Sequence, residues 1–209
     1  MSNPQPTPVV PLEAGAGPEN PPCPACGEPL FGWLPARPGL RGPVSRCESC
    51  GLGVVGEPGG AADALRELDR RHRDGSARIS NRASFAASLG NAGWSGLEPR
   101  ARYLFTVESV RRLVASRDQV VKSTRWAPAA ALPATWQTLL NSVTFGHNVA
   151  LAALGGGEAA TAQRSWQRRI DALASVVLAI PALLIAIPVE LAGALSRRGA
   201  VVSLRLHLL

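Results

Sequence analysis

Two short knuckles constrain this chain more than anything else in it: Cys23-Pro24-Ala25-Cys26 and Cys47-Glu48-Ser49-Cys50, which together hold all four of its cysteines. Gly27 to Arg46, 20 residues, separate them. Each Cys-x-x-Cys turn aims two thiolates at one point, and a loop of this length brings the knuckles together. Gly27 and Gly51 follow directly, where a tight knuckle favours a residue free to take positive φ. The spacing predicts a tetrahedral zinc site formed by Cys23, Cys26, Cys47 and Cys50. A redox pair would need one Cys-x-x-Cys beside a βαβ pattern, which is not visible. Two disulfides would need an oxidising compartment, and no signal peptide points to one. Four thiolates leave no open position for a substrate or an activated water, so the site reads as structural.

Residues 1–21 are rich in Pro, Gly and small side chains and read as a disordered lead-in. They lack the basic start and apolar core of a signal peptide, so a cytoplasmic protein is expected. The net charge of +7 would suit nucleic acid or an anionic membrane surface. The basic residues are 21 Arg and the single Lys122, mostly scattered, with few aromatics among them. A generally arginine-rich surface describes this better than a nucleic-acid patch.

The expected fold class is α+β: a small zinc ribbon over 22–55, a linker helix within 56–79, and a mostly helical body with a short β-pair over 80–209. So small a ribbon has little core of its own, so metal binding supplies most of its folding free energy. Apolar spacing predicts helices over Ala61–Arg73, Asn81–Leu89, Val107–Ala115 (with Thr106 as N-cap) and Ala134–Leu154 after Pro133. Gln119–Trp126 and Ala200–Leu206 read as strands. Gly51-Leu52-Gly53-Val54-Val55-Gly56 matches the dinucleotide-binding pattern G-x-G-x-x-G. It follows a metal knuckle rather than a buried strand and runs into Glu57-Pro58-Gly59-Gly60, so no cofactor is expected there. Gly155-Gly156-Gly157 reads as a helix stop and linker. His72, His147 and His207 are isolated, and no nucleophile–base set emerges, so no catalytic or cofactor-binding residue and no small-molecule substrate is nominated.

Ala172–Val189 is 18 residues without a charge, inside an apolar segment over 172–195, with Arg164, Arg168 and Arg169 before it and Glu190, Arg197 and Arg198 after. This length barely spans about 30 Å of hydrocarbon. Pro181 and Pro188, and basic residues at both ends, suit a helix lying on or dipping into a membrane, or packed on the body, better than a plain span. A span would also put the strand after it on the opposite side from Gln119–Trp126.

The order of these pieces resembles class I S-adenosylmethionine-dependent methyltransferases that carry an N-terminal zinc ribbon. The resemblance lies in Cys23-Pro24-Ala25-Cys26-Gly27 and Arg46-Cys47-Glu48-Ser49-Cys50-Gly51-Leu52. It continues in Ser84 to Leu89 with Gly90, Trp94 and Pro99, in Tyr103 to Leu113, and in Arg198-Gly199-Ala200-Val201-Val202. It implies a shared ancestry and places the two predicted strands in one sheet. The family's Rossmann-like core has no counterpart, since only 30 residues, Gly51 to Ser80, stand in its place. Ala101 occupies the family's histidine position, and Asp118-Gln119 its Gly-Phe. The expectation is a non-catalytic zinc-ribbon remnant of a methyltransferase-like fold. It would be a binding or scaffold module with a membrane surface at the inner face of the cell membrane, or a protein, as partner. The alternatives are a methyltransferase or accessory subunit completed by a separate S-adenosylmethionine-binding chain, and a basic zinc-ribbon nucleic-acid binder.

Overall fold

The computed structural model describes residues 20–36, 40–73, 76–155 and 164–208. Nearly all of the expected lead-in, residues 1–19, and most of the Gly155-Gly156-Gly157 linker lie outside them. Two four-stranded antiparallel sheets and six helices make a mixed α+β architecture. The first sheet runs β1 (Leu30–Leu34), β2 (Val44–Cys47), β3 (Gly53–Val55) and β6 (Tyr103–Leu104). Three of its strands are the ribbon's own. The fourth arrives from far along the chain, with Val54 opposite Tyr103 and Gly53 opposite Leu104.

The second sheet, in the order β4 (His72–Arg73), β5 (Ser76–Ser80), β8 (Val201–Leu208), β7 (Gln119–Trp126), is larger than the β-pair expected from the sequence. Its missed half is short. The helix expected to reach Arg73 stops at Arg70 (α1, Ala61–Arg70), and His72 and Arg73 turn into a hairpin with Ser76 and Ala77. In Ser76–Ser80 only Ala77 and Ile79 are buried and Arg78 faces out, an alternation too brief to stand out from a linker. β7 and β8 pair directly, with Trp126 opposite Val202 and Val121 opposite Leu206. The chain between them therefore leaves the sheet and returns to it on one side.

Between β5 and β7 lie α2 (Phe85–Gly90) and α3 (Val107–Ala115), each capped by a hydroxyl: Ser84 Oγ accepts from the Ala87 amide, and Thr106 Oγ1 from that of Ser109. One continuous core joins the ribbon's Leu30, Leu52 and Val54 to Leu65 and Leu68 of α1. It runs on through Phe105, Val110 and Leu113 to Val202 and Leu204 of the second sheet. The ribbon is packed into the body, not appended to it.

The long helix expected over Ala134–Leu154 is two helices, α4 (Pro128–Asn141) and α5 (Val149–Ala153). Pro128 sits at the first helical position, where its missing N–H costs nothing, so the helix starts before Pro133 and includes it. It ends near Ser142, and Asn148 takes a left-handed conformation before α5. α6 (Ser165–Leu195) contains the charge-free run and continues unbroken through Pro181 and Pro188. By length and composition it could cross a membrane, yet only 11% of its most apolar stretch is buried.

Candidate metal centre and the polar ties around it

Both knuckles are built by backbone hydrogen bonds around their first cysteine. The Gly27 and Cys26 amides donate to the Cys23 carbonyl, at 2.8 and 3.3 Å, and the Gly51 amide donates to the Cys47 carbonyl at 3.0 Å. Return bonds from Cys23 N–H to the Glu28 carbonyl and from Cys47 N–H to that of Leu52 close each turn at 2.7 and 2.8 Å. The chain can reverse this sharply because Gly27 and Gly51 sit at φ of +78° and +75°.

The four sulfurs converge. Cys23 Sγ lies 3.6 Å from Cys50 Sγ, Cys26 Sγ lies 3.5 Å from Cys47 Sγ, and all four fall within 4.8 Å of one another. These separations are far longer than the roughly 2.05 Å of a disulfide. They approach the edge of about 3.8 Å that a tetrahedron with metal–sulfur bonds of about 2.3 Å requires. The residues fit a metal ion. Three of the cysteines are buried and Cys26 is partly so. Crowding drives their acidities apart: the hydrogen bond from Cys50 pulls Cys23 down to about 5, while the same contact and burial push Cys50 up, and burial raises Cys26. A bound cation removes this competition, since every thiol can then ionise. Arg112 lies beside the second knuckle, its guanidinium 3.0 Å from Ser49 Oγ and 2.9 Å from Glu108, which ties the knuckle to α3.

Thr106 ties the centre to the body. Its hydroxyl donates to the Cys50 carbonyl at 2.6 Å while accepting the Ser109 amide at 3.0 Å, so one side chain caps α3 and fixes the second knuckle. A Cβ on Gly51 would stand 2.9 Å from Thr106 Cγ2. Beside the knuckle lies a cleft of about 650 Å³ whose walls include Gly51, Asn81, Arg111, Lys122 and Trp126.

The G-x-G-x-x-G match has a different role from phosphate binding. Gly51 belongs to the knuckle, Gly53–Val55 is strand β3, and α1 starts only at Ala61. Beyond the cysteine knuckles, several residues that carry the methyltransferase resemblance are packing and capping positions. Trp94, Tyr103 and Phe105 are fully buried, and Ser84 and Thr106 cap helices. Tyr103 donates to Asp63 at 3.1 Å. Asp63 also meets Arg102 at 2.6 Å and Arg66 at 3.0 Å, which with the Tyr103 bond hold its carboxyl below the usual range. Burial and this carboxylate push the Tyr103 phenol up to about 12.

Reading the sequence missed a second polar cluster that fastens the helices. Asp171, fully buried, accepts the Phe145 and Gly146 amides at 2.8 Å each. Glu190, also buried, accepts the Thr135 hydroxyl and, at 3.2 Å, the Ala200 amide, joining α4, α6 and the start of β8. Further along, Thr138 bonds to Ser95, Asn141 to the Gly93 carbonyl, and Asn148 to the Ser95 carbonyl. A signal was present, since Asp171 and Glu190 bracket a charge-free run that gives neither a reason to be there.

No family model matches the sequence, and neither the curated proteins nor the solved structures give a match.

Proposed function

We propose that this chain is a non-catalytic zinc-ribbon protein, derived from the methyltransferases it resembles, that serves as a binding or scaffold module at the cytoplasmic face of a membrane. One observation carries the reading. All four cysteine sulfurs lie within 4.8 Å of one another, in a cluster wired by Thr106 and Arg112 into the body. Such a centre spends its whole coordination sphere on holding elements together. Four thiolates at this spacing suit zinc, with iron as the chemical competitor. The apolar outer face of α6 supplies the membrane part of the proposal.

The test is metal analysis of the purified chain followed by titration with S-adenosylmethionine. One zinc per chain and no saturable binding up to about millimolar ligand are expected, a ceiling chosen because enzymes bind substrates at about 1 μM to 1 mM. A coloured protein holding iron would overturn the zinc assignment. Saturable binding would overturn the non-catalytic one and favour a methyltransferase subunit.

A further inference from the structure

The outer face of α6 and the outer face of the second sheet adjoin, and each has a single chemical character. Eleven residues of α6 before Leu195, Trp166 through Leu191, are large, apolar and at least 39% exposed. At about 100° per residue, the exposed positions between Ala172 and Leu195 sweep about 220° of the helix circumference. Every exposed side chain from Ala172 to Ala192 is apolar. Both carboxylates of α6, Asp171 and Glu190, point inward. On the sheet, Arg78 and Arg125 both sit opposite Ser203, and Arg205 sits opposite Ser123. The register puts three exposed arginines on one face, while Ala77, Ile79, Val202 and Leu204 are buried. A cleft of about 790 Å³ runs from Arg78, Arg125 and Arg205 to Ala194 and Leu195 at the end of α6. Arg168 and Arg169 stand exposed at the other end.

From this we infer that α6 lies in the plane of one leaflet of an anionic bilayer, immersed to about its axis, with the arginine face of the sheet on the headgroups. The inference rests on the membrane association proposed above and adds its geometry and lipid class. A second copy of the chain fits the face less well, because a helix–helix seam covers a stripe of about 100° and would leave apolar flanks in water. Crossing the bilayer does not fit either. Polar ties hold the body to α6 from Asp171 to Glu190, about 29 Å at 1.5 Å per residue, which is nearly the whole hydrocarbon thickness. A span would carry α4 and the segment around Gly93 and Ser95 to that depth, with Ser88, Asn91, Glu98, Arg100 and Ser142 exposed to lipid.

The test uses the full metal-loaded chain and phosphatidylcholine vesicles with or without phosphatidylglycerol, brominated near the headgroup or near the chain ends. Leu173→Trp, Ile180→Trp and Ile187→Trp each report depth as added fluorescence quenching over the parent protein. In-plane docking predicts equal quenching of all three, strongest with bromine near the headgroup. It also predicts binding that rises with phosphatidylglycerol and falls with salt. Replacing Arg78, Arg125 and Arg205 together by Gln should markedly weaken that dependence on anionic lipid, and Ile180→Asp should weaken binding at least about tenfold. Both variants are at exposed positions, and circular dichroism checks that they fold.

Binding with Ile180 markedly deeper than Leu173 and Ile187 would overturn the in-plane geometry while keeping the membrane association. Binding indifferent to phosphatidylglycerol would overturn the headgroup role of the arginines. Absence of binding to any vesicle would overturn both, and sedimentation as a dimer would then give the face to a second copy.

Discussion

Tyr103 shows how one side chain can serve two structural tasks here. Its backbone pairs with Val54 to complete the ribbon sheet, its ring is buried, and its hydroxyl donates to Asp63. The phenol is held protonated to about pH 12 against an ordinary value near 10. For a group whose folded value is raised, the stabilisation is complete below the unfolded value and disappears as pH rises through the folded one. Stability should therefore fall between about pH 10 and 12, by at most about 3 kcal/mol from this residue. Tyr103→Phe should lose about 1 kcal/mol at neutral pH, for the lost hydrogen bond, and should show a flatter alkaline limb. Urea unfolding midpoints measured at several pH values check this. An unchanged alkaline slope in the variant would assign the loss to another group.

Among the elements, the α4–α6 pair depends on its buried carboxylates. Glu190→Ala would leave the Ala200 amide and the Thr135 hydroxyl without their acceptor, at a cost of about 2–3 kcal/mol, read by chemical unfolding. Glu190→Gln keeps an acceptor and should cost less. Equal losses in the two variants would mean that packing, not the hydrogen bonds, makes this position matter. The same region shows what the sequence could and could not reveal. The cysteine knuckles, α3 with its Thr106 cap, and strands β7 and β8 were legible because each is set by local pattern: cysteine spacing, cap chemistry, apolar alternation. β4 and β5 were not, because a two-residue and a five-residue strand gain their stability from neighbours distant in sequence. The division of α4 from α5 was hidden too. Polar ties from Asn141 and Asn148 to Gly93 and Ser95 hold that turn, and these partners lie more than 45 residues away.

Across the whole molecule the cysteine cluster and the hydrophobic core are one structure. Cys23, Cys47 and Cys50 pack in the same cluster as Leu68, Val110 and Val202. Chelation should therefore not simply unravel residues 22–55 and leave a folded remainder. The expected outcome is a single cooperative transition, monitored by far-ultraviolet circular dichroism and by the buried Trp94 together, with the midpoint lowered by about 10 °C or more. Two separated transitions would show that the ribbon and the body are independent after all.

The strand order β4-β5-β8-β7 also sets a sequence of events. β8 lies between two strands that both precede it in the chain, so neither gains its inner partner until residues 201–208 are made. Until then β5 and β7 each present an open edge, more than 30 residues apart in the chain, and α6 is complete before either edge is closed. Assembly of this sheet is therefore a late, long-range step, the slow kind in folding kinetics. The long apolar helix α6 is thus synthesised just ahead of the strand that closes the sheet.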